Sequence, residues 1–243
     1  MLHRAIQSML FAAALVAAPI HAAENLIEPY RDGEQYFTLP VPVATGNEGV
    51  TVTEFFSYAC IHCFEFDAEL SAWEEGTPDD VTLERVPAVF SRSWMLFAQA
   101  YYVARACDVL PATHTAFFRA IHLERRRFAT PDDVAAFYED VVAQADLEGA
   151  SCTTREDFRA AFDSFGVSAA VQQSIARGRA YQANGVPAMI VDGTWRTDGR
   201  SAGSNAGMLE VVDFLVRRAR AGSAPAAPSL SSTPAPAASV QGP

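Results

Sequence analysis

Residues 50–63, VTVTEFFSYACIHC, decide the fold of this 243-residue chain. The first seven residues of the stretch are rich in β-branched and aromatic side chains and follow a turn at residues 46–49, which predicts a buried strand. The stretch ends in a C-x-x-C pair, Cys60 and Cys63. A helical pattern follows and stops at Gly76. The sequence therefore predicts a strand that leads directly into two cysteines at the start of a helix.

The spacing of these cysteines suits thiol–disulfide exchange. One helical turn brings the two sulfurs together, and the unpaired N–H groups and dipole of a helix N-terminus stabilise a thiolate at Cys60. Cys63 lies one turn inside the helix and is expected to be more buried. His62 lies between them, where an imidazole would further favour the Cys60 thiolate and make the disulfide more oxidising. The alternative is a solvent-facing His62 without influence on the thiol.

Two other uses of a C-x-x-C pair are weighed against this one. A zinc site normally needs four ligands, often from two such pairs, and the chain has no second pair and no His pair at zinc-finger spacing. His114 and His122 lie in a helical region and are expected to have surface or packing roles. A structural disulfide at Cys60 and Cys63 would close a very short loop and stabilise little. We therefore expect no metal site and favour a redox-active dithiol.

The N-terminus has the features of an export signal. A short basic start precedes an apolar run at residues 9–18, which is too short to span a bilayer, and Ala22 and Ala23 offer a cleavage site. Residues 1–23 are therefore expected to be a signal peptide, with a retained anchor as the alternative. Export to an oxidising compartment follows from a cleaved signal.

Composition limits the class of partner. The formal net charge is −11, and all 18 basic residues are arginines because the chain contains no lysine. An acidic surface argues against binding to nucleic acid or anionic lipid through a basic face. Half of the residues are hydrophobic, which is enough for one globular domain with an inserted subdomain.

Residues 91–184 have helical patterns throughout. The expected helices have their starts or ends marked by capping or helix-breaking residues, and cover 94–110, 113–122, 131 to about 144, one opened by a capping box at 153–156, and 168–184 with its end at Asn184 and Gly185. Strands are expected at 36–39, as an edge strand, at 81–87, at 186–193, and at 194–197 as a hairpin partner. A final helix is expected to start at Ser204 and Asn205.

This order of elements divides the chain into parts. Residues 24–90 and 185–221 are expected to form one α/β domain, and residues 91–184 are expected to be a helical insertion whose last helix leads back into it. Residues 222–243 are Ala, Pro and Ser-rich and are predicted to be a disordered tail.

A second stretch, residues 185–193, reads GVPAMIVDG. Together with residues 54–63, EFFSYACIHC, it closely resembles the DsbA family, over roughly residues 50–218. The resemblance implies an α/β class thioredoxin fold with an inserted helical domain, and the element order agrees with it. It also implies that Pro187 is preceded by a cis peptide bond and faces the dithiol, that the backbone beside it binds the extended chain of the substrate, and that Val186 tunes the thiol.

Glu54 is an acid inside an otherwise apolar strand. The resemblance implies a buried acid below the dithiol that helps to move the proton of Cys63, and burial would raise its pKa. The alternative is an outward-facing acid. Asp67 falls where the family often has an acid on the active-site helix. The family's lysine near the buried acid has no expected counterpart, and Ile61 replaces the family's usual proline and adds apolar surface beside the nucleophile.

Cys107 and Cys152 lie in the helical block, 45 positions apart. In an oxidising compartment they could form a structural disulfide, which in the chain-entropy model stabilises the fold by roughly 4 kcal/mol. Two separate buried thiols are the alternative. We favour the disulfide over a redox relay with the C-x-x-C pair, which no spacing supports.

These features predict a periplasmic thiol:disulfide oxidoreductase that donates a Cys60–Cys63 disulfide to reduced or unfolded exported proteins. The resemblance implies reoxidation by a membrane quinone-linked oxidase of the DsbB type. No cofactor, no nucleic acid and a monomeric state are expected. The rival interpretations are an exported reductase or isomerase and a non-catalytic polypeptide-binding chaperone.

Overall fold

The computed structural model describes residues 28–46, 48–147 and 149–223. The predicted signal peptide at residues 1–23 and most of the predicted tail lie outside these residues. Across the described ranges, no helix combines the length and apolarity that crossing a bilayer requires.

Five strands form one mixed sheet. In chain order they are β1 Phe37–Thr38, β2 Val50–Phe56, β3 Val81–Pro87, β4 Ala188–Val191 and β5 Trp195–Asp198. Their order across the sheet is β1-β5-β4-β2-β3, with β2 and β3 parallel and every other neighbouring pair antiparallel. The predicted strands are confirmed, although β4 is shorter than the predicted 186–193 and β1 has only two residues at the sheet edge.

Eight helices complete the described fold. In chain order they are α1 Ile61–Glu75, α2 Arg92–Ala106, α3 Leu110–His122, α4 Pro131–Ala145, α5 Arg155–Phe162, α6 Phe165–Ala180, α7 Gly199–Ala202 and α8 Asn205–Ser223. Helices α2 to α6 lie between β3 and β4 in the chain. This arrangement, an α/β sheet with a block of helices inserted between its strands, is the predicted thioredoxin fold class.

Alternation along β2 separates the two faces of the sheet. Val52 packs with α1 and α8, in a core that includes Leu70 and Leu215. Phe55 points to the other face and packs with Tyr181, at the end of α6. There the helix approaches so closely that a Cβ on Gly178 would lie 2.7 Å from the Phe55 ring, which explains a glycine inside α6.

The largest apolar cluster belongs to the helical block and reaches the C-x-x-C motif. It combines side chains of α2 to α6 with Phe56, Tyr58 and Cys63. The block therefore packs directly against the strand end and the turn that carry the dithiol.

Several predicted helix boundaries are wrong, and the starts of α2 and α3 lie two and three residues before the predicted ones. Helix α6 begins at Phe165 instead of residue 168, since the Ser164 side chain accepts the Val167 N–H at 3.2 Å. It ends before Gln182, whose φ of 50° breaks the helix before the predicted end at Asn184 and Gly185.

The predicted capping box at residues 153–156 forms one position later. Thr154 caps α5, and the Asp157 carboxylate accepts the Thr154 N–H at 3.0 Å. Helix α2 stops at Ala106 instead of residue 110, because Asp108 has a left-handed φ of 59°. The short helix α7 was not predicted.

A disulfide joins Cys107, which caps α2, to Cys152, in the loop before α5. The S–S distance is 2.01 Å and the two Cα atoms are 5.1 Å apart. The Ser151 N–H donates to the Cys107 carbonyl at 3.1 Å, so the bridged segments are also hydrogen-bonded. The bridge closes a loop of 45 positions within the helical block.

Removing this disulfide should destabilise the fold. We expect Cys107→Ala/Cys152→Ala to lose about 2 to 4 kcal/mol of unfolding free energy, because the unfolded chain regains the entropy of an open loop. Urea denaturation measures the loss. Cys60→Ala/Cys63→Ala, which leaves the bridge intact, is the control, and equal stability of bridged and unbridged proteins would contradict the prediction.

Candidate active site

Cys60 lies in the short turn between the end of β2 and the start of α1. The chain turns after Phe56, and the Cys60 N–H donates to the Ser57 carbonyl at 3.0 Å. Cys60 has an extended backbone, with φ −94° and ψ 117°, and is the N-cap residue of α1. Its sulfur accepts the Cys63 N–H at 3.4 Å, so a thiol performs the capping that a Ser or Asp oxygen usually performs.

The two cysteines have opposite environments. Cys60 is partly exposed, whereas Cys63 is completely buried. A hydrogen bond from the Cys63 thiol, helped by the backbone N–H groups of Cys63 and His62, outweighs burial and lowers the pKa of Cys60 to about 6. Burial raises the pKa of Cys63 well above its ordinary value, and the neighbouring Cys60 adds to this. Cys60 is therefore the thiolate at neutral pH, and Cys63 stays protonated.

Residues 185–193, the second stretch that resembles the family, lie next to the dithiol. The peptide bond between Val186 and Pro187 is cis. The Cys60 thiol lies 3.4 Å from the Val186 carbonyl oxygen, although the two residues are 126 positions apart. A cavity of about 540 Å³, which we call the Pro187 groove, opens beside this contact, and its lining includes His62.

Ile61 and His62 face outward. Ile61 is 44% exposed. The His62 side chain is 71% exposed, and its Nδ1 lies 3.0 Å from a Glu65 carboxylate oxygen. The charge of His62 helps to lower the pKa of Cys60, but less than the hydrogen bonds do. His62 therefore faces the solvent, as the alternative interpretation expects, and has only a small effect on the pKa of Cys60.

Glu54 is buried on the side of the sheet that faces α1, with 2% of its surface exposed. Arg85 is its register partner on β3, and the Arg85 Nε lies 3.3 Å from a Glu54 carboxylate oxygen. Burial raises the pKa of Glu54 to about 8, although the charge of Arg85 acts in the opposite direction. As expected, the chain has no lysine to accompany this acid, and Arg85 supplies a positive charge beside it instead.

A second buried network lies under α1. The Thr115 hydroxyl donates to the Asp67 carboxylate at 2.7 Å, and the His114 Nε2 lies 3.2 Å from its other oxygen. The opposite ring nitrogen, Nδ1, is 2.8 Å from the Tyr58 hydroxyl. Burial works against the Asp67 carboxylate, but His114 and Thr115 lower its pKa overall, and burial lowers the pKa of His114. We therefore assign a carboxylate to Asp67 and a neutral ring to His114.

His122 completes the support of the active-site turn. Its Nε2 lies 2.8 Å from the Tyr58 carbonyl oxygen, and its ring stacks on Phe64 with centroids 5.3 Å apart. Helix α3 thus contacts the residues before Cys60 and the helix after it. The inserted helices help to position the dithiol.

Sequence reasoning missed most of these supporting residues. Arg85 could have been found only from the parallel register of β2 and β3, which places it opposite Glu54. Of the surface or packing roles expected for His114, the structure shows packing, since the residue is only 8% exposed and contacts the rings of Phe56 and Phe118. Within the described ranges, no group of three or more His, Cys, Asp or Glu side chains is placed to hold a metal ion.

The comparisons with known proteins agree with this geometry. A protein-family model described as thioredoxin matches residues 40–209. The chain is 36% identical over 189 residues to the thiol:disulfide interchange protein DsbA of Azotobacter vinelandii. The matched region covers 77% of this chain and 84% of that protein. The crystal structure of Pseudomonas aeruginosa DsbA matches with a TM-score of 0.71 and 32% identity, over 79% of this chain and 96% of that one. The crystal structure of oxidoreductase DsbA from Xylella fastidiosa matches with a TM-score of 0.69 and 31% identity, over 79% and 98%.

Replacing Cys63 should raise the pKa of Cys60. In Cys63→Ala the thiol donor is lost, so we expect the pKa of Cys60 to rise from about 6 toward the ordinary thiol value of about 8.5. Cys63→Ser keeps a hydroxyl donor and should show a smaller rise. The ultraviolet absorbance of the thiolate, followed across pH, measures both. An unchanged pKa in the alanine variant would mean that the backbone N–H groups alone stabilise the thiolate.

Replacing Glu54 should remove a pH dependence of stability. The folded pKa of about 8 lies above the ordinary 4.5, so the folded state holds a proton that the unfolded state releases, and stability falls as pH rises between these values. Glu54→Gln cannot titrate. We expect its stability relative to the parent protein to improve across that window by roughly 1 to 4 kcal/mol.

Urea denaturation at both ends of the window measures this change. Glu69→Gln, which makes the same substitution at an exposed acid on the neighbouring helix α1, is the matched control. Parallel pH profiles for the Glu54→Gln variant and the parent protein would show that Glu54 is already ionised in the fold.

Proposed function

The chain belongs to the DsbA family of thiol:disulfide interchange proteins, and from that premise we propose that it oxidises exported proteins by donating a disulfide between Cys60 and Cys63. The observation that carries the proposal is the contrast between the two thiols. Cys60 is accessible with a pKa lowered to about 6, and Cys63 is buried with a raised pKa. A dithiol of this kind favours its reduced state, in which the thiolate is stabilised, and therefore gives its disulfide away.

The reaction proceeds in two exchanges. A substrate thiolate attacks the Cys60 sulfur, a substrate–Cys60 bond forms, the Cys60–Cys63 bond breaks, and Cys63 leaves and takes up a proton. A second substrate thiolate then attacks the substrate sulfur of the mixed disulfide, and Cys60 leaves as a thiolate. Two electrons pass from the substrate dithiol to the protein, which ends reduced. The low pKa of Cys60 makes it the better leaving group in the second step.

Glu54 is the proposed proton donor to Cys63. Its carboxyl is buried on the α1 side of the sheet, and a pKa of about 8 keeps it protonated at neutral pH. Its charge also raises the pKa of Cys63, so each group favours a proton on the other. Arg85 stabilises the carboxylate that remains after transfer.

The substrate chain is proposed to lie along the Pro187 groove. The Val186 carbonyl faces the Cys60 sulfur, which places the backbone before Pro187 where an extended peptide can reach the nucleophile. Ile61, next to Cys60 in the chain, offers an exposed apolar contact. No cofactor takes part in these steps.

The cellular setting is part of the same proposal. The signal peptide predicted at residues 1–23 would deliver the protein to the periplasm, where reduced, unfolded exported proteins are its substrates. A membrane quinone-linked oxidase of the DsbB type would reoxidise the dithiol. A monomer without nucleic-acid partners suits a soluble donor with a net charge of −11.

The reduction potential of the dithiol tests the direction of exchange. We expect a value well above the roughly −240 mV of the glutathione pool, because thiolate stabilisation favours reduction. Equilibration of the protein in glutathione buffers measures it. A value near the roughly −270 mV of thioredoxin would make the protein an exported reductase instead.

The Cys60→Ala variant tests the remaining rival interpretation, a non-catalytic polypeptide-binding chaperone. The variant should lose the oxidation of a reduced, unfolded test protein, because no Cys60–Cys63 disulfide can form. Oxidation activity that survives this change would contradict the assigned nucleophile, and suppression of aggregation without any oxidation by the parent protein would favour a chaperone.

A further inference from the structure

The Pro187 groove carries a local charge opposite to that of the protein. Its lining includes two arginines, Arg196 and Arg200, and one acid, Asp198. An adjoining cavity of about 420 Å³ shares Asn184 with the groove and adds Arg179 without any acid. The chain as a whole has 29 acidic and 18 basic residues, so three arginines against one aspartate invert the general balance.

The single acid of this surface is already engaged. Asp198 is the N-cap residue of α7, and its carboxylate accepts the Ser201 N–H at 2.9 Å. It therefore serves the helix start, where a negative charge is stabilised by the unpaired N–H groups. Among the described residues, none of the three arginines forms a salt bridge with a carboxylate.

The two arginines of the groove differ in their contacts. Arg196 donates to the carbonyls of Tyr181 and Gln182, and its guanidinium lies over the Phe37 ring. These partners are neutral, so they fix the position of the charge without cancelling it. Arg200 is exposed, and among the described residues it forms no ion pair. Arg196 thus supplies a fixed field, and Arg200 supplies a side chain that can reach a ligand.

We infer that this groove selects substrate segments that carry an Asp or Glu close to the reacting cysteine, with Arg200 as the specificity-determining residue. The inference rests on the proposed function, because the groove adjoins the Cys60 sulfur through Val186 and Pro187. Without the local arginines, a protein of net charge −11 would repel acidic chains. With them, an acidic residue beside the substrate cysteine gains a favourable contact, and a basic residue meets repulsion.

The test compares model peptides that contain two cysteines and differ only at the neighbouring residue, which is Glu, Gln or Arg. Each is oxidised by the stoichiometric, pre-oxidised full-length protein, and the second-order rate of disulfide formation is measured. Neighbouring charges also alter the reactivity of the peptide thiol itself. Every rate is therefore divided by the rate of the same peptide with an uncharged small-molecule disulfide.

We expect the normalised rate of the Glu peptide to exceed that of the Arg peptide by about twofold to fivefold at low salt, as exposed ion pairs allow. The ratio should fall toward one at high salt, where screening shortens the reach of the charges. Arg200→Gln should reduce the ratio, and Arg200→Glu should bring it close to one, because Arg196 and Arg179 then balance Asp198 and the new carboxylate. Arg217→Glu makes the same change of charge on an exposed position of α8 that does not line the groove, and it should keep the parent ratio.

Equal normalised rates for the three peptides, or a ratio that Arg200→Glu leaves unchanged, would overturn the inference. A parent protein that oxidises none of the peptides would instead overturn the proposed function. The two failures are therefore distinguishable in one data set.

Discussion

The unpaired backbone N–H groups at the start of α1 need an acceptor, and the Cys60 sulfur supplies it. The Cys63 N–H lies 3.4 Å from that sulfur, and the same interaction that caps the helix also stabilises a thiolate. Forming the disulfide removes the negative charge and weakens the cap. The oxidised state is thus the less favoured one for a reason that lies in helix chemistry, and the rest of the site serves to keep this helix start in place beside Val186.

Local signals in the sequence identify the elements that create this helix start. The β-branched run of β2, the C-x-x-C spacing and the Thr130 cap of α4 act through neighbours in the chain, so they could be predicted. Contacts between distant elements could not. Arg85 meets Glu54 through strand register, and His114 meets Asp67 because α3 packs on α1. Where two cap residues compete side by side, as Thr153 and Thr154 do before α5, sequence alone misplaces the boundary.

The helical insertion is tied to the redox centre by polar contacts as well as apolar packing. Thr115 and His114 hold Asp67 on α1, and His122 holds the Tyr58 carbonyl before Cys60. Buried polar groups are costly unless they are paired, so these contacts fix one arrangement of α3 against the active-site turn. Tyr58, in this turn, is buried in the apolar cluster of the inserted helices.

The absence of lysine gives the buried acid an unusual partner. A buried lysine can lose its proton, and it would then share the titration with Glu54. The guanidinium of Arg85 stays charged, and its pKa is raised further by Glu54 and Glu74 despite burial. Arg85 therefore keeps its proton, and Glu54 is left as the proposed proton donor to Cys63. Burial raises the pKa of Glu54 to about 8 and raises the pKa of Cys63 well above its ordinary value, so the carboxyl is the more acidic of the two groups.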